Sequence, residues 1–472
     1  MKTRSFFPGT FFFFLLLAGI GSLFSCHKSD FLDKKPSTDL VVPSTLDDFQ
    51  ALLDNDNVMR ETPVLGEVSA DNFYLLPDFW DGLNLKEKNA YIWLPGNADI
   101  FYGGQGGVED WNIPYQQVFY CNVILDALPK VDRTSMNSAR WDAIKGAALF
   151  IKANAYYNIA QVFALPYDPG TAATDPGIPL RRTSDVNAPS DLSNLGGTYT
   201  EILNELQAAS GLLPVDVPGL NLNRPSKPAA LALLARVCLS MRDYPNAGLY
   251  ADSCLQFPHT LLDYNTVNAG SLFPFNKPPV EVLYQSRSLS TSKVLAGLIA
   301  PGCIVDSGLY QSYANGDLRK GVFFSVNGSG LPNLKGSYNA SIFPFTGLAI
   351  DEVYLIKAEC LAREGNYMSA MQALNTLLQS RWVTSTYVQL NASSKEEALA
   401  TILTERRKEL PFRGLRWTDL RRFNKEGTNY TLTRVINSQT YHLLPDYPGN
   451  LFYILPIPPD VITISGMKQN PR

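Results

Sequence analysis

Residues 235–247, ARVCLSMRDYPNA, and residues 358–370, AECLAREGNYMSA, carry one spacing twice. Each begins and ends on alanine and has tyrosine in the same place, at Tyr244 and Tyr367, and Leu255 and Leu378 follow at equal distances beyond. In both, an apolar run of helical period is interrupted by a short polar turn just before the tyrosine. Two helices joined by a tight turn, repeated, predict a scaffold of stacked helix pairs.

The copies resemble tetratricopeptide units, in which the small residue admits the neighbouring helix and the tyrosine fills the wedge between the two helices. Tyr244 and Tyr367 are therefore expected to be buried structural residues. Working outward, helical period predicts helices at about 111–128, 140–163, 198–213 and 227–241, the second with Ala147, Ala148, Ala153 and Ala155 where close packing needs small side chains. A Pro/Gly-rich link from Pro166 to Pro189 separates the first two from the rest. The predicted class is mainly α, a tetratricopeptide-like scaffold over about 109–165, 198–258 and 349–423, with long irregular loops and a few short strands.

The amino-terminal end sets the compartment. Lys2 and Arg4 precede an apolar run, and Leu23-Phe24-Ser25-Cys26 follows directly, the layout of a secretory signal peptide ending in a lipobox. Pro8, Gly9, Gly19 and Gly21 interrupt the run and weigh against a spanning helix. Residues 1–25 are read as the signal peptide and Cys26 as the lipid-bearing first mature residue. Residues 26–43, with Lys34, Lys35, Pro36 and Pro43, are read as an extended tether, and 44–472 as one domain that opens on a capped helix at Ser44-Thr45. Without Lys2 and Arg4 the formal charge moves from −4 to −6, which disfavours nucleic acid as a partner. The five other cysteines are odd in number and lack CxxC spacing, so buried thiols are expected in preference to disulfides or zinc.

The last third carries ERRKELPFRGLRWTDLRR at 405–422, YILPIPP at 453–459 and QNPR at 469–472. With STLDDFQALLD at 44–54, DWNIPY at 110–115 and AECL at 358–361, these motifs resemble, in order and over essentially the whole mature chain, the SusD/RagB family of nutrient-uptake lipoproteins. The resemblance implies a non-catalytic, lipid-anchored, outward-facing outer-membrane protein. It would capture glycans or oligosaccharides and deliver them to a TonB-dependent SusC-like transporter. Capture of oligopeptides, or a protein-interaction scaffold without a small ligand, are the alternatives. Leu399, Ile402, Leu403 and Leu410 mark an apolar helix face that also holds Arg406, whose guanidinium needs a carboxylate, and Asp419 on the next helix is the candidate, so both are read as structural.

Residues 61–107 and 259–345 lose helical period and are read as loop-rich ligand regions, with Val280 to Gln285 as a possible short strand. Aromatic rings suit sugars because a pyranose has an apolar face, while Asn and Asp take hydroxyls. The candidate ligand residues are Asp71, Asn72, Phe73, Tyr74, Trp80 and Asp81; Trp93 and Trp111 are assigned to packing. No enzyme is expected: His27, His259 and His442 lack motif partners, and HExxH, GxSxG and Walker patterns are missing. Gly103-Gly-Gln-Gly-Gly107 lacks the Lys-Ser/Thr of a phosphate loop. No cofactor and no metal are expected, although a glycosidase carboxylate pair is not excluded by sequence.

Overall fold

The computed structural model describes residues 43–219, 221–275, 277–445 and 451–470. Cys26, the signal segment and the tether as far as residue 42 lie outside the described residues. The domain opens at α1 (Leu46–Leu53), where Thr45 Oγ1 accepts from the Asp48 N–H at 3.2 Å and the Asp48 carboxylate accepts from the Thr45 N–H at 3.0 Å. This capping box satisfies two otherwise orphaned donors and fixes where the helix begins.

Residues 61–107, expected to be loop, contain four short helices: α2 (Leu65–Ser69), α3 (Pro77–Asp81), α4 (Leu85–Tyr91) and α5 (Ala98–Tyr102). Local chemistry starts and stops them. Pro77 stands in the first turn of α3, the side chains of Asn84 and Asn97 cap α4 and α5, and Gly103 ends α5 in the left-handed region at φ 67°. Helices of five to seven residues are too short for a period to emerge in the sequence. Tyr91, Trp93, Phe101 and Tyr102 of this segment are buried, so much of it is packed structure.

The scaffold follows: α6 (Glu109–Ala127), α7 (Ser138–Phe163), α8 (Leu195–Leu212), α9 (Lys227–Met241), α10 (Tyr244–Leu255), α11 (Ile350–Arg363), α12 (Tyr367–Gln379), α13 (Lys395–Glu409) and α14 (Arg416–Lys425). From α6 to α12 each helix packs on the next, and α13 closes on α11 and α12. The fold is the mainly α, tetratricopeptide-like one that the repeat predicts. Its interrupting turns share one device. Arg242 (φ 64°) and Gly365 (φ 90°) turn left-handed, and Asp243 and Asn366 then cap the second helix by accepting from the N–H groups of Asn246 and Ser369. Ala235, Ala247, Ala358 and Ala370 are fully buried. The copies touch although about a hundred residues separate them in sequence: a Cβ on Gly248 of α10 would stand 3.1 Å from the Cys360 Cβ of α11.

Tyr244 and Tyr367 correct the expectation of full burial, because both are half-buried. As first residues of the second helix they lie across the rim of the pair. The Arg363 guanidinium sits 4.0 Å from the Tyr244 ring centroid and the Tyr244 hydroxyl donates to Glu426.

The two irregular segments build one another. Phe73–Leu75 pairs antiparallel with Cys303–Val305, Glu61–Thr62 pairs parallel with Arg287–Ser288, and Val282–Tyr284 pairs with Leu348–Ala349 at the entry of α11. A last helix, α15 (Pro459–Ser465), packs beside α5.

Candidate functional site

The charged motif at 405–422 is internal. Arg406 Nε donates to Asp419 Oδ2 at 2.9 Å, and Arg422 spans Asp419 and the fully buried Glu359. Arg319 pairs with Asp317, Glu405 and Glu409, while Arg381 pairs with Glu281 and Glu409. Between the helices, Phe412 (φ 60°) and Gly414 (φ 72°) make the turn from which Arg413 reaches Asp351. Arg421 finds no carboxylate among the described residues and instead donates to the backbone oxygens of Ala160, Gln161 and Ala164, capping α7 where the helix dipole is negative. A cluster so spent on internal partners has little left for a ligand.

The same cluster claims part of the candidate ligand run. Arg416 holds Asp71 by a two-pronged bond of 2.6 and 2.8 Å. Burial alone would raise the Asp71 carboxyl, but the hydrogen bonds and charge of Arg416, with Arg407 and Arg434, bring it down to about 2. Asn72 is 1% exposed, and its side-chain oxygen accepts from Arg407 Nε at 3.3 Å. Phe73 is equally buried beside Tyr91 and under the Arg434 guanidinium. Strand pairing and internal arginines thus engage these three residues, of which Asn72 and Phe73 are buried and Asp71 half-buried.

Tyr74 and Trp80 are half-buried and Asp81 is exposed. Trp80 and Asp81 ride on α3, and Lys88 of α4 lies over the Trp80 ring, 5.0 Å from its centroid, while donating to the Asp81 carbonyl at 2.7 Å. The placement of α3 depends on two glycines that the sequence reading passed over. A Cβ on Gly297 or Gly302 would fall 2.2 or 2.5 Å from Phe79, the residue before Trp80.

The first turn of α4 opens a polar cleft of about 300 Å3, lined by Asn84, Lys86, Gln105, Glu109 and Thr291 among others. Lys86 and Glu109 face each other as an ion pair, both partly exposed. Burial works against the Lys86 ammonium, but Asp110, Glu109 and Glu87 hold it above its usual range. The cleft thus offers fixed donors and acceptors on walls from three separate segments. Apart from Gln105, which stands in the glycine run, none of its polar residues was singled out in the sequence, because the folded chain alone brings them together. The glycine run forms one edge: Gly107 N–H donates to Asp460 Oδ2 of α15 at 2.9 Å, and a Cβ on Gly106 would meet that carboxylate at 2.7 Å. The run docks a helix, and the Gly107 N–H is already taken by a carboxylate.

Cys121, Cys238, Cys254, Cys303 and Cys360 are free and buried, and burial pushes the Cys238 and Cys254 thiols up to about 12, so they are inert. Among the described residues no group of three or more His, Cys, Asp or Glu is placed to hold a metal ion, and no helix is long and apolar enough to cross a membrane.

Comparison with known proteins agrees with this fold. A family model described as "Starch-binding associating with outer membrane" matches residues 30–239, and one described as "SusD family" matches residues 348–472. No curated protein matches the chain. Among solved structures, a SusD superfamily protein from Bacteroides thetaiotaomicron superposes with a TM-score of 0.71 at 20% identity, covering 91% of this chain and 100% of its own. A SusD-like carbohydrate binding protein from Bacteroides vulgatus gives 0.65 at 19% identity, covering 90% and 97%. A laminarin binding SusD-like protein gives 0.65 at 17% identity, covering 90% and 97%.

Proposed function

This chain belongs to the SusD/RagB family, and from that premise we propose that it is a lipid-anchored, outward-facing outer-membrane protein that binds glycans without transforming them and passes them to a TonB-dependent SusC-like transporter. The observation that carries the reading is the polar cleft of Asn84, Lys86, Gln105, Glu109 and Thr291 at one end of α4, with Trp80 packed along the same helix. Sugars are bound in this way, by an aromatic face for the apolar side of the ring and fixed polar groups for its hydroxyls. Tyr74, Trp80 and Asp81 remain the ligand candidates from the original run, and the cleft residues join them. Cys26 carries the lipid, and residues 26–43 tether the domain, so a modest intrinsic affinity for the transporter suffices at the membrane.

A glycan array probed with the lipid-free Cys26→Ala chain tests the binding step. Binding to at least one oligosaccharide class, weakened about tenfold or more by Trp80→Ala or by Glu109→Gln, supports the reading; binding to peptides alone would replace it with the oligopeptide alternative. Co-purification from outer membranes in mild detergent tests the partnership, and repeated recovery of the lipoprotein alone would remove the transporter from the proposal.

A further inference from the structure

A lysine in a polar cleft looks like a receptor for an acidic ligand, but the charges around Lys86 already answer it. The ionisable groups beside the cleft come from three helices: Lys86 and Glu87 from α4, Glu109 and Asp110 from α6, and Asp460 from α15. Lys88 is turned to Trp80 and the Asp81 carbonyl, and Lys293 is exposed on the Thr291 segment without lining the cleft. Glu87 and Asp110 are fully buried, and burial pushes both carboxyls up. Even with those two protonated, the cleft sets one ammonium against two carboxylates, Glu109 and Asp460.

Burial works against the Glu109 carboxylate, but the hydrogen bond and charge of Lys86 hold it below its usual range, so it is ionised at neutral pH. One oxygen, Oε2, accepts from Lys86; Oε1 accepts from no described residue, and the side chain is 37% exposed. The amino terminus of α6 would favour an anion, but Glu109 and Asp110 occupy its first turn and Asp460 takes the Gly107 N–H. Asn84 is committed at both ends to Glu87, whereas Gln105 and Thr291 stand exposed on the walls.

These groups suit hydroxyls and not anions. A sugar hydroxyl has a proton to donate to Glu109 Oε1 and lone pairs to accept from the Gln105 amide or the Thr291 hydroxyl. A uronate or a sulfate brings only acceptors and adds a negative charge beside Glu109, with the one ammonium already paired. We infer that the cleft takes neutral saccharides and turns acidic ones away, with Glu109 as the residue that discriminates. The inference rests on the glycan reading above and adds to it the charge class of the ligand. Like charges about 5 Å apart at a half-exposed site weaken binding about tenfold or more.

The test is an array of neutral gluco-, manno-, galacto-, xylo- and fructo-oligosaccharides beside acidic galacturonan, alginate and sulfated galactan fragments, probed with the lipid-free Cys26→Ala chain. Each neutral binder is then titrated by calorimetry beside an acidic twin, made by oxidising its primary hydroxyls to carboxylates or, for xylans, carrying glucuronate branches. The expected result is binding to at least one neutral glycan, with its twin weaker by about tenfold or more at low salt. Glu109→Gln, which leaves Lys86 unpaired, should weaken the neutral ligand and strengthen the acidic one, a crossing that a merely structural loss would not produce. Raising the salt from about 20 to about 500 mM should narrow the gap in the unaltered chain, a readout that does not depend on the variant folding. Acidic glycans bound as tightly as neutral ones would overturn the inference and leave the proposed function standing. A gap that either salt or Glu109→Gln leaves unaltered would make the exclusion steric and overturn the role of charge. Silence across the whole array would overturn both readings.

Discussion

Glu409→Gln should be among the most destabilising single substitutions that keep the shape of the chain. Glu409 Oε1 accepts from Arg381 Nε at 2.7 Å and Oε2 accepts from Arg319 Nη1 at 3.1 Å, and both guanidiniums are fully buried. Glutamine removes the negative charge, and whichever way its amide turns, one of the two guanidiniums meets an NH2 donor where it had an acceptor. Breaking a buried pair from one side costs about 3–5 kcal/mol, because the remaining charge stays desolvated. Here Arg381 keeps Glu281, and Arg319 keeps Asp317 and Glu405, which places the expected loss at the lower end, about 3 kcal/mol. The control is Asp142→Asn, which breaks the exposed pair with Arg133 and should leave the unfolding midpoint nearly unchanged. Urea unfolding of the lipid-free chain, followed in parallel by circular dichroism and tryptophan fluorescence, should show a lower midpoint at unchanged slope for Glu409→Gln. A loss no larger than that of Asp142→Asn would refute the view that this cluster holds residues 259–345 onto the helical scaffold.

Three further outcomes follow from particular contacts. Burial pushes the Glu67 carboxyl up from 4.5 to about 7, so between those values the folded chain binds more protons than the unfolded one and stability falls as pH rises, by about 3 kcal/mol between pH 4 and pH 8. Glu205, raised to about 7 by burial against the pull of Lys152, acts with the same sign; Glu67→Gln should therefore make the measured slope shallower, and an unchanged slope would count against the assignment. Gly302→Ala forces a methyl onto Phe79 and should cost about 1–3 kcal/mol while shifting Trp80 emission, with melting and fluorescence as the readouts. Mass spectrometry of the native protein should find a diacylglycerol-modified amino terminus at Cys26, and an unmodified chain beginning at Met1 would exclude the lipid anchor.

The helices were legible because each buried stripe recurs on its own segment. The predicted helix at 227–241 coincides with the one observed, since Ser226 caps it and Arg242 ends it within sight of the apolar run. Arg406 could be placed on an apolar face by the same spacing, and it is 3% exposed. The candidate site was legible only in part, for a physical reason. Asp71, Asn72 and Phe73 look like a ligand run when the eye sees polar and aromatic residues outside a periodic helix, but Arg407 and Arg416, more than three hundred residues later, return to occupy the first two. Lys86, Glu109 and Thr291 show nothing locally, because a cleft assembled from separate segments has no period to detect.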